Sequence, residues 1–521
     1  MRLLVTTTLI CATAAVLGCA DLKAYRTERV AAPYTSTNAP CAPSREDAAT
    51  ADAGGKVPDR CEARIREDAP NYRLYFTEFD DQGWIYPAGE RYGNASAQLD
   101  TFVRDLRDVI TGSTESISVV VFVHGWKHTA RTDDTNVERF RSLLDSLNEV
   151  EQATGCRRHV IGLYVGWRGA ATTLGEPIEN LTFYNRKSAA ERVALGDVRV
   201  LFSQLRAIQD MANSAWNEKI QKGRVFSASG AATSNAAALP VSHSQCQKRM
   251  RLSIAGHSFG GLIVYTSLAQ ALIRDVVDLQ QAEELARLTG GPRPTLSREG
   301  DLVVVINPAI EATRFEPLLR TVQGHDLPHY HAPLFVAITS TDDQATRQFF
   351  PIGRSLGAVW ENYAISADDR EKRANLSTLG QDEDFLTHTL TARRYGEPRG
   401  AGTSSDGQPP CLGWNTPNAP FQDRLEIEAR ESATFLQRLE RNGYDARGLF
   451  PRTFCSIDLL GLETSRRFGD AAMNSPIWNI RTSAPIVDNH NDFSNPRLIA
   501  FLRQLYREAE FKDEQVRQLA R

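Results

Sequence analysis

Short apolar runs recur along the chain, and longer amphipathic segments separate them. The clearest run, ISVVVFV, is built almost entirely of β-branched residues. This composition is typical of strands that are buried on both faces of a sheet. The runs lie at 117–123, 159–165, 252–255, 301–306, 333–340 and 477–483. Helical patterns predict helices over 97–110, 134–153 and 186–213, and over 495–520 after the last run.

The alternation of buried strands and helices predicts an α/β fold with a mostly parallel central sheet and helices on both faces. A hairpin of 72–79 and 83–87 precedes the first buried strand. Between 341 and 475, Gly, Pro and charged residues interrupt the rhythm. We interpret this stretch as a large insertion before the last strand, of the kind that forms a cap. The core then comprises 71–340 and 476–521.

One junction carries a chemical pattern. The run at 252–255 enters Gly256-His257-Ser258-Phe259-Gly260, and a helical pattern leaves it. A G-x-S-x-G turn between a strand and a helix presents its serine as a nucleophile, and the glycines allow the tight backbone approach. The plain alternative is a glycine-rich turn with a solvated serine. The strand–turn–helix context favours Ser258 as a nucleophile.

Three further motifs lie at or after the ends of predicted strands. V-F-V-H-G-W ends one strand, W-R-G ends the next, and S-x-x-D-x-A follows the run at 333–340. Together with the G-x-S-x-G turn, their order is similar to that of the α/β-hydrolase superfamily, in a bacterial serine esterase or lipase-like branch. The resemblance covers roughly 115–345 and 475–521.

The resemblance implies a triad in the order Ser, Asp or Glu, His. Asp342 and Asp343 both follow a strand, and the motif aligns Asp343 with the acid. His490, in the loop before the terminal helix, is the expected base. The other candidates that the resemblance implies are the backbone N–H groups of Trp126 and Phe259 as oxyanion donors, and the side chains of Trp167 and Arg168 as a pocket lining. A structural Arg168 paired with a carboxylate at the sheet edge is the alternative.

Composition narrows the partners. The net charge is −4 and no basic block occurs, so nothing indicates a nucleic-acid partner. The cysteines have no C-x-x-C spacing, and we interpret the histidines of H-x₃-H-x-H at 325–331 as loop residues. The mechanism needs neither a metal nor an organic cofactor. The sequence predicts no oligomeric state.

The N-terminal segment indicates where the protein is localised. Residues 1–18 have one early arginine and an apolar run too short to cross a bilayer, and Cys19 follows Val-Leu-Gly. This resembles a bacterial lipobox, which implies a lipoprotein signal peptide over 1–18 and a lipidated Cys19. An ordinary secretory signal cut after Ala20 is the alternative. Because Asp does not directly follow Cys19, we expect the outer membrane, facing the periplasm. Residues 19–70 lack periodicity and are interpreted as a flexible tether.

An oxidising compartment leaves six cysteines for disulfides. Their pairing is open in the sequence. Closure between nearest neighbours gives Cys41 with Cys61, Cys156 with Cys246, and Cys411 with Cys455.

These features predict a lipid-anchored serine hydrolase that cleaves a small-molecule or lipid carboxylic ester through an acyl-enzyme on Ser258. The same triad could instead transfer the acyl group to a membrane alcohol. A non-catalytic envelope lipoprotein that keeps the fold is the alternative from another class.

Overall fold

The structure is a computed structural model. It describes residues 23–28, 63–86, 97–113, 115–153, 156–170, 182–228, 248–291, 300–322, 333–357, 361, 369–392, 452–454, 457–461 and 475–508. These residues form an α/β fold with a mostly parallel sheet. The strands are β1 (Arg66–Asp68), β2 (Tyr72–Phe79), β3 (Ile117–Val123), β4 (His159–Trp167), β5 (Met250–His257), β6 (Leu302–Ile306), β7 (Phe335–Ser340), β8 (His388–Ala392), β9 (Arg452–Phe454), β10 (Ile457–Gly461) and β11 (Ile477–Thr482).

The helices are α1 (Ala97–Gly112), α2 (Thr135–Ala153), α3 (Phe183–Leu195), α4 (Val198–Ala228), α5 (Phe259–Thr289), α6 (Ala312–Val322), α7 (Phe350–Gly357), α8 (Arg370–Leu376) and α9 (Pro496–Glu508). The periodicity predicted the helices at 97–112, 135–153, 259–289 and 496–508, but it did not predict those at 312–322, 350–357 and 370–376. No helix among the described residues has both the length and the apolarity to cross a bilayer.

The chain divides into two compact units. The first contains Met1–Asn148, His159–Ile208 and Ala255–Ser267, and the second contains Glu149–Arg158, Gln209–Ile254 and Leu268–Arg521. In the first unit the strand order is β1-β2-β4-β3, with β1 antiparallel to β2 and the other pairs parallel. All seven side chains of β3 are buried, as its continuous apolar run predicts.

The second unit contains the order β6-β7-β11-β8-β10-β9. The pairs from β6 to β8 are parallel, and β10 and β9 add antiparallel strands. The strands β8, β9 and β10 lie inside the region 341–475, which we interpreted as an insertion. They extend the sheet beyond β11, and the sequence analysis predicted no strand there.

A second expectation also needs correction. The single helix predicted over 186–213 is two helices, α3 and α4, separated at Gly196. A Cβ on Gly196 would lie 2.2 Å from the carbonyl oxygen of Gly83, and the Asp197 N–H donates to that same oxygen at 2.8 Å. The turn after β2 therefore presses against this point and breaks the helix.

The predicted tether is corrected in two segments. Residues 23–28 and 63–70 belong to the first unit: Glu28 forms a parallel bridge with Arg64, and the Arg26 side chain is fully buried. The composition of this segment is typical of coil, yet Arg26 is buried. Its burial is compensated because the buried carboxylate of Glu67 lies 2.9 Å from its guanidinium. The remaining tether, the signal peptide over 1–18 and Cys19 lie outside the described residues.

Candidate active site

The junction of β5 and α5 forms the sharp turn that the serine pattern predicts. Ser258 has φ +56°, in the left-handed region that non-glycine residues rarely adopt, and is 4% exposed. A Cβ on Gly260 would come 2.0 Å from the carbonyl oxygen of Val123, and one on Gly256 would come 2.6 Å from the carbonyl oxygen of Gly260. Both glycines are therefore required by close backbone approach, and the elbow lies at the carboxyl end of β3.

The turn after β3 packs directly on this serine. A Cβ on Gly125 would lie 2.9 Å from the Cβ of Ser258, so the His124-Gly125-Trp126 turn backs onto the elbow. The backbone turns sharply again at Lys127, with φ +66°. Both residues predicted to supply oxyanion amides lie here, and the rings of Trp126 and Phe259 have centroids 6.4 Å apart.

His124 holds this turn as a neutral ring. Its Nε2 accepts the Trp167 N–H at 3.0 Å, so Nδ1 carries the proton and donates to the Gly125 carbonyl oxygen at 2.9 Å. Burial lowers the pKa of His124 to about 4, although the carboxylate of Asp134 opposes this shift. Protonation would also remove the acceptor that the Trp167 amide uses.

Trp167 supports the same turn with its side chain. The indole N–H donates to the His124 carbonyl oxygen at 2.8 Å, and the ring stacks on the imidazole with centroids 5.7 Å apart. The side chain is buried. Through these contacts the Trp167 side chain supports the His124-Gly125-Trp126 turn.

Arg168 adopts the alternative arrangement of a paired arginine. Its guanidinium bonds to the carboxylate of Asp81, which also pairs with Arg186 at 2.7 Å. Burial alone would raise the pKa of Asp81, but hydrogen bonds and charge from Arg186 and Arg168 outweigh it and lower the pKa. The Arg168 side chain is therefore engaged at the end of β4.

In the second unit the structure brings the predicted acid and base together. Asp343 follows β7, and its Oδ2 accepts from His490 Nδ1 at 2.8 Å and from the Thr346 hydroxyl at 2.7 Å. Its Oδ1 accepts the backbone N–H groups of Ala345 and Thr346. Burial would raise the pKa of Asp343, but the facing imidazole and the Thr346 hydrogen bonds lower it below its ordinary value. The side chain of His490 is 22% exposed, and its Nε2 lies across the ring from Asp343.

Asp342 makes different contacts. Its Oδ2 accepts the Ala484 N–H at 2.8 Å, in the turn that follows β11. Its own N–H donates to the Ser340 hydroxyl. Of the two adjacent acids, Asp343 faces the imidazole and Asp342 joins two turns.

Asn307 is a residue that the sequence interpretation missed. It follows β6 with φ +44°, is fully buried, and accepts the Ser340 N–H at 2.9 Å. Its amide nitrogen donates to the carbonyl oxygens of Asn489 and His490 at 3.2 and 3.0 Å. Asn307 thus joins the strand end that leads to Asp343 to the loop that carries His490. An asparagine directly after a buried strand was the available signal, since Asn tolerates the left-handed region.

The predicted disulfides and the histidines at 325–331 lie largely outside the described residues. Within the described ranges no group of three or more His, Cys, Asp or Glu residues could hold a metal ion. The histidines at 325–331 lie outside those ranges, as do five of the six cysteines predicted to pair. Cys156 is disulfide-bonded, and its predicted partner, Cys246, lies in the part of the chain that is not described.

Comparison with known proteins adds no family. No protein-family model matches this chain, and no curated protein matches it. A crystal structure of an uncharacterized protein from Pseudomonas aeruginosa is similar at 13% identity, over 52% of this chain and 42% of that chain, with a TM-score of 0.17. This chain spans less than half of that protein's length. A similarity this weak carries no argument about fold or function.

Proposed function

We propose that the chain is a serine hydrolase with an α/β-hydrolase fold that cleaves carboxylic esters through an acyl-enzyme on Ser258. The observation that carries the proposal is the left-handed φ of Ser258 at a strand–helix junction, between two glycines that admit no Cβ. Backbone strain of this kind, about 1–3 kcal/mol for a residue in a sparsely populated region, persists where function selects it. The region 341–475 is then an insertion that also lengthens the sheet.

The acid–imidazole pair supports the same chemistry. In the proposed mechanism His490 Nε2 removes the hydroxyl proton of Ser258 as the oxygen attacks the ester carbonyl carbon. The alcohol leaves with that proton, and His490 then activates a water that releases the acid. Asp343 accepts from Nδ1, which holds the required tautomer and stabilises the imidazolium.

The oxyanion of the tetrahedral intermediate requires donors that are fixed in advance. We assign this role to the backbone N–H groups of Trp126 and Phe259, because the turn of Gly125 lies against Ser258 and Phe259 directly follows it. Each such donor typically contributes about 3–4 kcal/mol to lowering the barrier. His124 and Trp167 act on the reaction only through the position of this turn.

We further propose that Cys19 is lipidated after removal of 1–18 and anchors the enzyme to the outer membrane, facing the periplasm. The support is the lipobox-like segment before Cys19. Replacement of Cys19 with Ser should leave the signal uncleaved or release the protein from the membrane fraction.

Fluorophosphonate labelling tests the nucleophile. The wild-type protein should be labelled and should hydrolyse p-nitrophenyl butyrate, and Ser258→Ala should lose both properties while remaining folded. Ser267→Ala is the matched control, because this serine lies on α5, which begins directly after Ser258, and its hydroxyl donates to backbone carbonyl oxygens. Labelling of Ser258→Ala equal to wild type would refute the mechanism. Absence of labelling in the wild type would favour a non-catalytic lipoprotein, and an acylated acceptor alcohol among the products would favour acyl transfer.

A further inference from the structure

The N-terminal end of the first unit is fixed by a buried arginine. The guanidinium of Arg26 is 3.6 Å from the ring centre of Phe76 and bonds to Glu67 and to the Ala130 carbonyl oxygen at 2.9 and 2.7 Å. The side-chain amide of Gln98 donates to the Arg26 carbonyl oxygen at 2.7 Å. Side chain and backbone are therefore both held, and removing Arg26 from its site would leave the Glu67 carboxylate buried with one cation fewer.

This fixed point lies at the carboxyl end of the parallel strands. The N–H groups of Tyr25 and Arg26 donate to the carboxylate of Glu78, the penultimate residue of β2. Register pairs Phe79 with Trp167, so β2 and β4 end together, and β3 ends beside β4. The elbow of Ser258 lies at the end of β3. Two strand spacings separate β2 from β3, or about 10 Å, so the N-terminal attachment and the elbow share one edge of the sheet.

The chain before Arg26 is short. Seven residue steps separate Arg26 from Cys19, and a fully extended chain spans at most about 3.6 Å for each step. A lipid on Cys19 therefore lies within about 25 Å of Arg26. We infer that the carboxyl edge of the sheet is held against the bilayer, and that Ser258 acts on ester bonds of lipids in that membrane. The inference rests on the proposed esterase function and on lipidation of Cys19.

Exposed aromatic side chains at this edge suit a lipid surface. Trp84 is 58% exposed in the turn that follows β2, where Asp80 fixes the backbone by accepting the Trp84 N–H. Tyr184 is 37% exposed, and its neighbour Phe183 packs on Phe259 with ring centroids 5.0 Å apart. Tryptophan and tyrosine favour the interface between headgroups and acyl chains because one part of each ring system is apolar and the other polar.

A pair of insertions tests whether the short chain between Cys19 and Arg26 positions the enzyme. About thirty Gly and Ser residues are inserted between Asp21 and Leu22, and the same segment is inserted between Thr35 and Ser36 as the control. Only the first insertion lies between the lipid and Arg26. The lipidated full-length proteins are reconstituted into vesicles of phosphatidylethanolamine and phosphatidylglycerol that contain p-nitrophenyl palmitate, with p-nitrophenyl acetate as the soluble substrate.

The first insertion should lower hydrolysis of the vesicle-bound ester about tenfold. The effective concentration of the active site at the membrane falls as about the −3/2 power of the chain length between the lipid and Arg26. It should leave hydrolysis of the soluble ester unchanged, and the control insertion should alter neither rate. Equal effects of the two insertions would show that 19–63 acts as one tether and would overturn the inference, as would no effect of either. Failure of the wild type to hydrolyse either ester would refute the esterase function instead.

A readout that needs no catalysis checks the orientation. An environment-sensitive dye is attached to Trp84→Cys, or to His159→Cys at the amino end of β4, where the histidine is 57% exposed. Lipids with a nitroxide near the headgroup should quench the dye at 84 at least severalfold more than the dye at 159. Equal quenching, stronger quenching at 159, or failure of the protein to associate with the vesicles would each overturn the inference.

Discussion

Acid should destabilise this protein through one buried histidine that supports the His124-Gly125-Trp126 turn. His124 is fully buried, accepts the Trp167 N–H through Nε2, and has its pKa lowered to about 4. In the unfolded chain a histidine has a pKa near 6.5. Below pH 6.5 the unfolded state therefore binds a proton that the folded state does not bind until the pH approaches 4.

The sign and size follow from this difference. A lowered folded pKa means that the stability is fully present above pH 6.5 and is lost as the pH falls towards 4. Each pKa unit corresponds to about 1.4 kcal/mol, so the depression of about 2.5 units predicts a full loss of about 3.5 kcal/mol from this one residue, of which about 3 kcal/mol is lost by pH 4. Other groups, including the ionised Asp343, add to acid destabilisation, so the histidine must be isolated by substitution.

The measurement compares wild type with His124→Asn in urea unfolding at pH values from 4 to 7.5, with the disulfides intact. The variant should be less stable at pH 7.5, because it loses the acceptor for Trp167. The gap should narrow by about 3 kcal/mol as the pH falls to 4, because asparagine does not titrate. His159→Asn is the control, because His159 and its ion-pair partner Glu115 are both more than half exposed and an exposed ion pair contributes at most about 1 kcal/mol. Parallel curves for wild type and His124→Asn would refute the reasoning.

Three further predictions, two of them with a control substitution, test the site. Gly260→Ala should destabilise the protein by about 3 kcal/mol in urea unfolding, because its Cβ would meet a carbonyl oxygen at 2.0 Å, whereas Gly112→Ala, with nothing within 4 Å, should not. Asp343→Asn should lower kcat for p-nitrophenyl butyrate at pH 8 by about 10⁴-fold through the wrong imidazole tautomer, and Asp342→Asn should change it little; the reverse order would reassign the acid. Asn307→Gly keeps the left-handed backbone but loses the amide contacts to the loop of His490. The kcat should fall about fivefold with KM unchanged, because a lost hydrogen bond costs about 1 kcal/mol; a change in KM alone would contradict this positioning role.

Local sequence patterns determined much of the fold. Largely apolar runs predicted β3, β4, β6 and β7 at nearly their observed positions, because burial on both faces favours apolar residues along the whole strand. The elbow could be predicted because its pattern is contiguous in sequence: two glycines flank one serine between a strand and a helix. The carbonyl oxygen that excludes a Cβ at Gly260 nevertheless belongs to the distant Val123. The contact between Asp343 and His490 was also accessible to sequence reasoning, but only through the motif that singled out Asp343 from its neighbour.

Tertiary structure decided the features that depend on distant partners. Arg26 lies in a segment with the composition of a tether, and only its contacts with Glu67 and Ala130 reveal that it is buried. The strand β8 has five residues and joins the sheet through β11, about ninety residues further along the chain. Asn307 acquires its role from two loops that the sequence places far apart. In each case the stabilising partner is remote in sequence, so periodicity, composition and local motifs cannot identify that partner.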